Sequence, residues 1–191
     1  QIYEAVSMQR LTYGLSFWLP YYGTPNNASL SPDFYDPDGG CTPVEPYGFW
    51  SNCCPSNVFV FDIRARDIDY VLLRRLFAQR SQVVENHYGD YYPLTPYSQQ
   101  DDVWMAWQFH RPEPGQGTVQ AFRRAGSHDG TTSYLLRGLD PAARYVFTDV
   151  DSNATRELSG GLLMEKGLPI SISTKPGAAN LVYARVQETT R

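Results

Sequence analysis

Apolar and polar positions follow two different rhythms along this chain of 191 residues. In the first half the apolar residues come in unbroken runs. "LTYGLSFWL" (11–19), closed by Pro20, and "NVFVFDIR" (57–64) have the length and the aromatic and β-branched content of strands buried on both faces. Between them, residues 20–57 are dense in Pro, Gly, Asn and Asp and read as one long loop, a length that in compact domains is often functional. After the second run, Asp67 is placed to cap a helix. Ile68, Val71, Leu72, Leu76, Val83 and Val84 fall near one helical face, Arg74, Arg75 and Arg80 fall outside it, and Gly89 marks the stop.

Beyond residue 100 the runs shorten and alternate. "VWMAWQF" (103–109), "GTVQAFRR" (117–124), "SYLLRGL" (133–139), "RYVFTDV" (144–150), "LPISIS" (168–173) and "NLVYARVQ" (180–187) read as strands. The turn signals "PEPGQG", "GSHDG", "LDPAA", "DSNAT" and "KPGAAN" separate them, which is the spacing of an antiparallel sandwich. The expected fold class is therefore α/β followed by all-β, with domains at 1–100 and 101–191. Strand, long loop, strand, helix suits part of a (β/α)8 barrel, but a barrel needs eight such units. Two parallel strands cannot bury both their faces unaided. The first half is thus expected to be the remnant of a larger barrel lying upstream, and a first residue of Gln1 in place of Met agrees with a fragment or processed piece.

Alternation also speaks to the tryptophans of "VWMAWQF". Val103, Met105, Trp107 and Phe109 take one face, and Trp104, Ala106 and Gln108 the other. The two rings then point oppositely and cannot form one flat platform. One is expected in the sandwich core, the other against the barrel helix or solvent.

Composition narrows the function classes. Hydrophobic content of 42% and charged content of 19% describe a globular chain. A net charge of −4, with no Lys/Arg run longer than two, argues against a nucleic-acid partner. No apolar run approaches the length of a membrane span. The compartment stays open, with the cytoplasm the preferred reading. Cys53 and Cys54 are adjacent, Cys41 stands apart, and His87, His110 and His128 share no ligand spacing, so ordinary thiols and no metal or other cofactor are expected. The sequons at Asn27 and Asn153 are of a kind that arises by chance.

The candidate binding residues are Trp18, Tyr21, Tyr22, Asp62 and Arg64. Asp62 follows "VFVF", which in a barrel is the carboxyl end of a strand, where catalytic groups sit; Arg64 can pair with it. A structural ion pair closing the barrel is the other reading. Trp18, Tyr21 and Tyr22 end the first run and enter the loop, placed to rim a sugar site or simply to pack the loop.

Five phrases in order, "TYGLSFWLPYYGT" (12–24), "GDYYPLTPYS" (89–98), "VWMAWQFHRPEPGQGTVQAFRR" (103–124), "LRGLDPAARYVFTDVD" (136–151) and "SGGLLMEKGLPISI" (159–172), resemble the C-terminal part of glycoside hydrolase family 36, the bacterial-type α-galactosidases. The resemblance implies a parent with a β-supersandwich, a (β/α)8 barrel and a C-terminal antiparallel β-domain, which hydrolyses terminal α-linked galactose with retention. Retention uses two carboxyls about 5–5.5 Å apart. In the family these belong to a Lys-x-Asp motif and a Gly/Arg-rich Asp motif; neither occurs here, and the only lysines are Lys166 and Lys175. No catalytic residue is therefore expected in this chain. The partners implied are an α-galactoside or related oligosaccharide, bound through the missing barrel strands, and further copies of the parent in a homo-oligomer. Where the family pattern has Tyr-x-Phe-Arg-Ser, this chain has "YGFWS" (47–51), with Trp50 in place of a cation, and "CCPS" (53–56) is a second departure.

Overall fold

The computed structural model describes residues 5–26, 44–59 and 68–187. They form two compact units, one of Gln1–Arg80 with Tyr97–Gln99, the other of Ser81–Pro96 with Gln100–Arg191. Residues 81–96, ahead of the residue-100 boundary read from composition, thus cluster with the second unit.

The first unit opens with helix α1, Ala5–Ser16. This corrects the strand expected over 11–19. The buried residues are Met8, Gln9, Thr12 and Tyr13, a spacing of one and four that belongs to a helix face. Two of the four are polar, so the apolar letters misreported the period. The long loop expected over 20–57 is also corrected. It contains strand β1, Gly23–Asn26, helix α2, Pro46–Ser51, and the start of strand β2, Ser56–Phe59. Helix α2 forms because Glu45 accepts from the Tyr47 amide at 3.0 Å and from the Gly48 amide, while Pro46 stands first in the helix, where a missing N–H costs nothing. Trp50, the residue that replaces a cation, is buried in this helix.

β1 and β2 pair in parallel, Gly23 opposite Ser56 through Asn26 opposite Phe59. The expected strand over 57–64 is seen as far as Phe59. Helix α3 runs Tyr70–Ser81. Its cap is Asp69, whose carboxylate accepts from the Leu72 amide at 2.9 Å; Asp67 lies outside the described residues. The buried stripe is Leu73, Leu76 and Gln79, whereas Val71 is 74% exposed. Val71 and Leu73 are two residues apart, about 200° around a helix, so both cannot face inward.

The second unit begins with a 3-10 turn, Val84–Tyr88, that ends at Gly89. Gly89 is needed for closeness rather than for a left-handed cap: a Cβ there would stand 2.3 Å from the carbonyl oxygen of His110. Eight strands and one helix follow: β3 Asp90–Pro93, β4 Trp104–Arg111, β5 Gln116–Arg123, β6 Thr131–Tyr134, β7 Arg144–Asp149, β8 Thr155–Ser159, α4 Gly160–Glu165, β9 Leu168–Ser171 and β10 Gly177–Arg185. Six make an antiparallel sheet in the order β3-β4-β5-β10-β7-β8, and β6 and β9 pair separately. One sheet face, carrying Ala106, Val119, Phe147, Leu181 and Tyr183, packs on Tyr134 of β6, Leu168 and Ile170 of β9 and Leu163 of α4. That is the main core.

The alternation read from "VWMAWQF" holds, with a difference. Trp104 packs against the main core and donates to the Asp129 carbonyl at 3.0 Å. Trp107 lies on the opposite face, yet it is 1% exposed, with its ring 4.9 Å from that of Phe122. β4 is buried on both faces. No helix among the described residues is long and apolar enough to cross a membrane.

Candidate functional site

In parallel α/β arrangements chemistry gathers at the carboxyl ends of the strands. β1 and β2 run side by side, so their carboxyl ends lead into residues 27–43 and 60–67. Asp62 and Arg64 lie there, outside the described residues.

Trp18, Tyr21 and Tyr22 sit elsewhere. The reading that they follow a strand is corrected, because they link α1 to the amino end of β1. Trp18 is 85% and Tyr21 62% exposed, with Phe17 and Leu19 exposed beside them. Tyr22 turns inward, 5% exposed, and its carbonyl accepts from the Ser56 amide at 2.9 Å, which fixes the β1–β2 register at its first residue. The structure thus separates Tyr22 from the other two by burial.

Between α1, α2 and β1 lies a buried polar cluster that the sequence did not announce. Thr12 and Thr24 hydroxyls are 3.0 Å apart, and the Thr12 hydroxyl donates to the Ser51 carbonyl at 3.0 Å. Gln9 donates to the hydroxyls of Tyr47 and Ser51, each at 3.3 Å. The Cys54 thiol, fully buried, donates to the Ser56 carbonyl at 3.0 Å and lies 3.7 Å from the Thr24 hydroxyl. Burial pushes this thiol up from its ordinary pKa. A protonated, enclosed sulfur is a structural group, not a nucleophile. Glu45, pushed up by burial and pulled down by its two amide bonds, is engaged as a helix cap. Among the described residues no group of three His, Cys, Asp or Glu stands together to hold a metal.

The second unit holds its own buried network. Gln108 donates to the Arg137 carbonyl and to the Tyr183 hydroxyl, both at 2.9 Å, and accepts from the Arg137 amide at 2.9 Å. His110 Nδ1 lies 3.0 Å from the same hydroxyl, with the two rings stacked 5.9 Å apart. Chain separation of 73 residues hides this partnership from any local reading. What could have found it is parity: Gln108 and His110 share a strand face with the core residue Ala106.

Burial lowers the pKa of His110 below its usual 6.5; the charge of Asp90 opposes the shift and that of Arg185 adds to it. The folded state therefore favours neutral imidazole. Its contribution to stability is complete above about pH 6.5 and is lost as the pH falls from there through the depressed value. Thermal melts taken between about pH 7.5 and pH 5 are expected to show a falling midpoint that His110→Gln flattens, one proton accounting for at most about 1.4 kcal/mol per pH unit. An unchanged pH profile in the variant would remove His110 from this role.

Residues 104–183 match the glycosyl hydrolase family 36 C-terminal domain. Among solved structures, the galactosidase domain of the α-galactosidase–sucrose kinase AgaSK superposes on 96% of this chain and 25% of its own, with a TM-score of 0.71 and 20% identity. The α-galactosidase from Lactobacillus brevis covers 99% of this chain and 26% of its own, with a TM-score of 0.72 and 15% identity. The family 36 α-galactosidase AgaB from Geobacillus stearothermophilus gives 96%, 25%, 0.69 and 18%. This chain spans about a quarter of the length of the solved structures it matches. Among curated protein sequences none matches it. Residues 104–183 are similar to the glycosyl hydrolase family 36 C-terminal domain, and 96% of the chain shares its fold with about a quarter of the first of these solved structures.

Proposed function

We propose that the chain is the C-terminal portion of a retaining α-galactosidase-type glycoside hydrolase, acting on terminal α-linked galactose in the full-length parent. The observation that carries this reading is the family match over residues 104–183, supported by fold likeness to α-galactosidases across 96% of the chain. On this reading residues 1–100 are the end of the catalytic barrel and 101–191 the β-domain that buttresses it. The parallel pairing of β1 with β2 suits two neighbouring barrel strands. Asp62 and Arg64 follow β2 in the sequence, and on this reading they belong to the segment after a barrel strand's carboxyl end, outside the described residues. Trp18 and Tyr21 fall at the other end, where their exposed rings suit packing or assembly in a homo-oligomeric parent.

A retaining mechanism needs one carboxylate as nucleophile and a second as acid and then base, about 5–5.5 Å apart. The described carboxylates of the first unit, Glu45 and Asp69, are each bound to backbone amides at a helix start. Neither family aspartate motif occurs in the sequence. The dyad then belongs to the parent's upstream strands, and this chain contributes shape and support. The test is hydrolysis of nitrophenyl α-galactoside by the purified chain: release of nitrophenol is expected to equal the blank. A second reading, a non-catalytic carbohydrate-binding module, is favoured by one observation, the exposed rings of Trp18 and Tyr21, since such rings stack on the apolar faces of sugars.

A further inference from the structure

The buried network of Gln108, His110 and Tyr183 holds one more acceptor than its neutral form uses. Tyr183 and His110 lie inside the second unit, 3% and 2% exposed. Tyr183 has one hydroxyl proton and two acceptors for it, His110 Nδ1 at 3.0 Å and the Phe109 carbonyl at 3.4 Å. Its oxygen already accepts from the Gln108 side-chain amide at 2.9 Å, which leaves one lone pair over. That complement serves His110 in either protonation state. Beside a neutral ring the hydroxyl donates to Nδ1, the nearer acceptor, and the ring proton sits on Nε2. Beside a charged ring Nδ1 carries a proton of its own and becomes a donor. The hydroxyl then offers its spare lone pair to Nδ1–H and turns its proton to the Phe109 carbonyl. Each polar atom of the trio keeps a partner in both states, and an orphaned one would be costly.

The groups around the ring set how readily it charges. Burial opposes the charged form most. Asp90 of β3, opposite His110 in the strand register, favours it, as do hydrogen bonds to the backbone of Gln116 and of Gly138; the Arg185 guanidinium of β10 opposes it. Tyr92 of β3 reaches the same place, since a Cβ on Gly138 would stand 2.9 Å from its hydroxyl and 3.2 Å from the His110 ring. Burial pushes Tyr92 up, as does Asp90, while Arg137 pulls it down. Tyr145 of β7 packs edge-on against Tyr183 at 5.9 Å. Burial pushes the Tyr183 hydroxyl up, so it keeps its proton while His110 titrates.

We infer that His110 and Tyr183 form a proton switch in the core: when His110 Nδ1 takes up a proton from solvent, the Tyr183 hydroxyl swings to the Phe109 carbonyl, and the sheet holds a buried charge with its hydrogen bonds intact. The switch is independent of the proposed role in hydrolysis. Nuclear magnetic resonance of the complete 191-residue chain, labelled with nitrogen-15 and carbon-13, tests it between about pH 7.5 and pH 4. The His110 ring signals are those lost in His110→Gln. At the upper end Nε2 is expected to carry the proton and Nδ1 to show the shift of an acceptor. On acidification both nitrogens should become protonated while the amide spectrum stays that of the folded chain, and the Phe109 carbonyl carbon should shift with the same midpoint. Tyr183→Phe should lower the His110 midpoint by about one pH unit, because a charged Nδ1–H loses more than a neutral acceptor does. The inference is overturned by a proton on Nδ1 at about pH 7.5, by a ring that stays neutral until the chain unfolds, or by a Phe109 carbonyl that does not follow the ring. These three readings need no variant and decide the matter should Tyr183→Phe fail to fold. An unchanged midpoint in a folded Tyr183→Phe overturns it as well.

Discussion

Trp107→Ala is expected to lower the unfolding free energy of the second unit by about 3–5 kcal/mol, the range for deleting a fully buried large aromatic side chain. Trp107 occupies the middle of β4, opposite Pro93 of β3 on one side and Gln120 of β5 on the other. Its indole N–H donates to the Gln120 side chain at 2.9 Å, and Gln120 donates in turn to Asn180 at 3.2 Å. One chain of side-chain bonds thereby crosses three adjacent strands. Truncation opens a cavity beside Phe122 and deprives the buried Gln120 oxygen of its donor. Trp107→Phe separates the two effects, keeping most of the packing and losing the bond, for a cost of about 1–3 kcal/mol. Urea titrations followed by far-ultraviolet circular dichroism measure both. A loss below about 1 kcal/mol for the alanine variant would mean the site collapses around the gap and the ring is not central.

The next largest effect is expected at Arg123. Its guanidinium, 7% exposed, donates to the Ile172 carbonyl at 2.8 Å, Ser173 at 3.1 Å, Ser127 at 3.4 Å and His128 at 3.2 Å. One side chain thereby joins the turn after β5 to the segment after β9. Arg123→Leu keeps the aliphatic stem and strips four carbonyls of their donor. Each carbonyl that stays buried costs about 1–3 kcal/mol, and those that reach water cost less, so the net loss should be about 3–5 kcal/mol. Arg123→Lys should recover only part of it, because one ammonium cannot span two separate pairs of carbonyls as the planar fork does. Calorimetry gives the size, and hydrogen exchange gives the place: protection should fall first at 127–128 and 172–173. A uniform loss across the sheet would assign Arg123 a packing role only.

The antiparallel half of the fold was legible because its strands announce themselves twice, by alternation and by the turns between them. Five of the six expected strands correspond to β4, β5, β7, β9 and β10, whereas the run expected over 133–139 is strand only at Ser133 and Tyr134, the end of β6. Those missed lack one signal or the other. β8, "TRELS", is an edge strand with no buried residue, so nothing forces apolar residues into it. β3 ends in Pro93, which an edge strand tolerates but a sequence reading takes as a break. The first half misled where polar residues do the packing. Gln9 and Thr12 are as buried as any core residue, held by hydrogen bonds that the sequence cannot display. Once α1 is taken for a strand, Trp18, Tyr21 and Tyr22 are assigned to the wrong end of β1. The His110–Tyr183–Gln108 network was invisible for another reason, because only the strand order β4-β5-β10 brings its residues together, and the Arg123 clamp because half its partners lie about fifty residues on, after β9.

The central claim is that this chain supports a glycosidase active site without containing its carboxylate pair. It is tested most directly by assaying nitrophenyl α-galactoside with two proteins: the purified 191-residue chain, and the same chain extended upstream through its reading frame. The account predicts nitrophenol release at the rate of the blank from the first, and turnover from the second with α-galactose as the first-formed anomer. Turnover above the blank by the 191-residue chain, removed by Asp62→Asn, would contradict it.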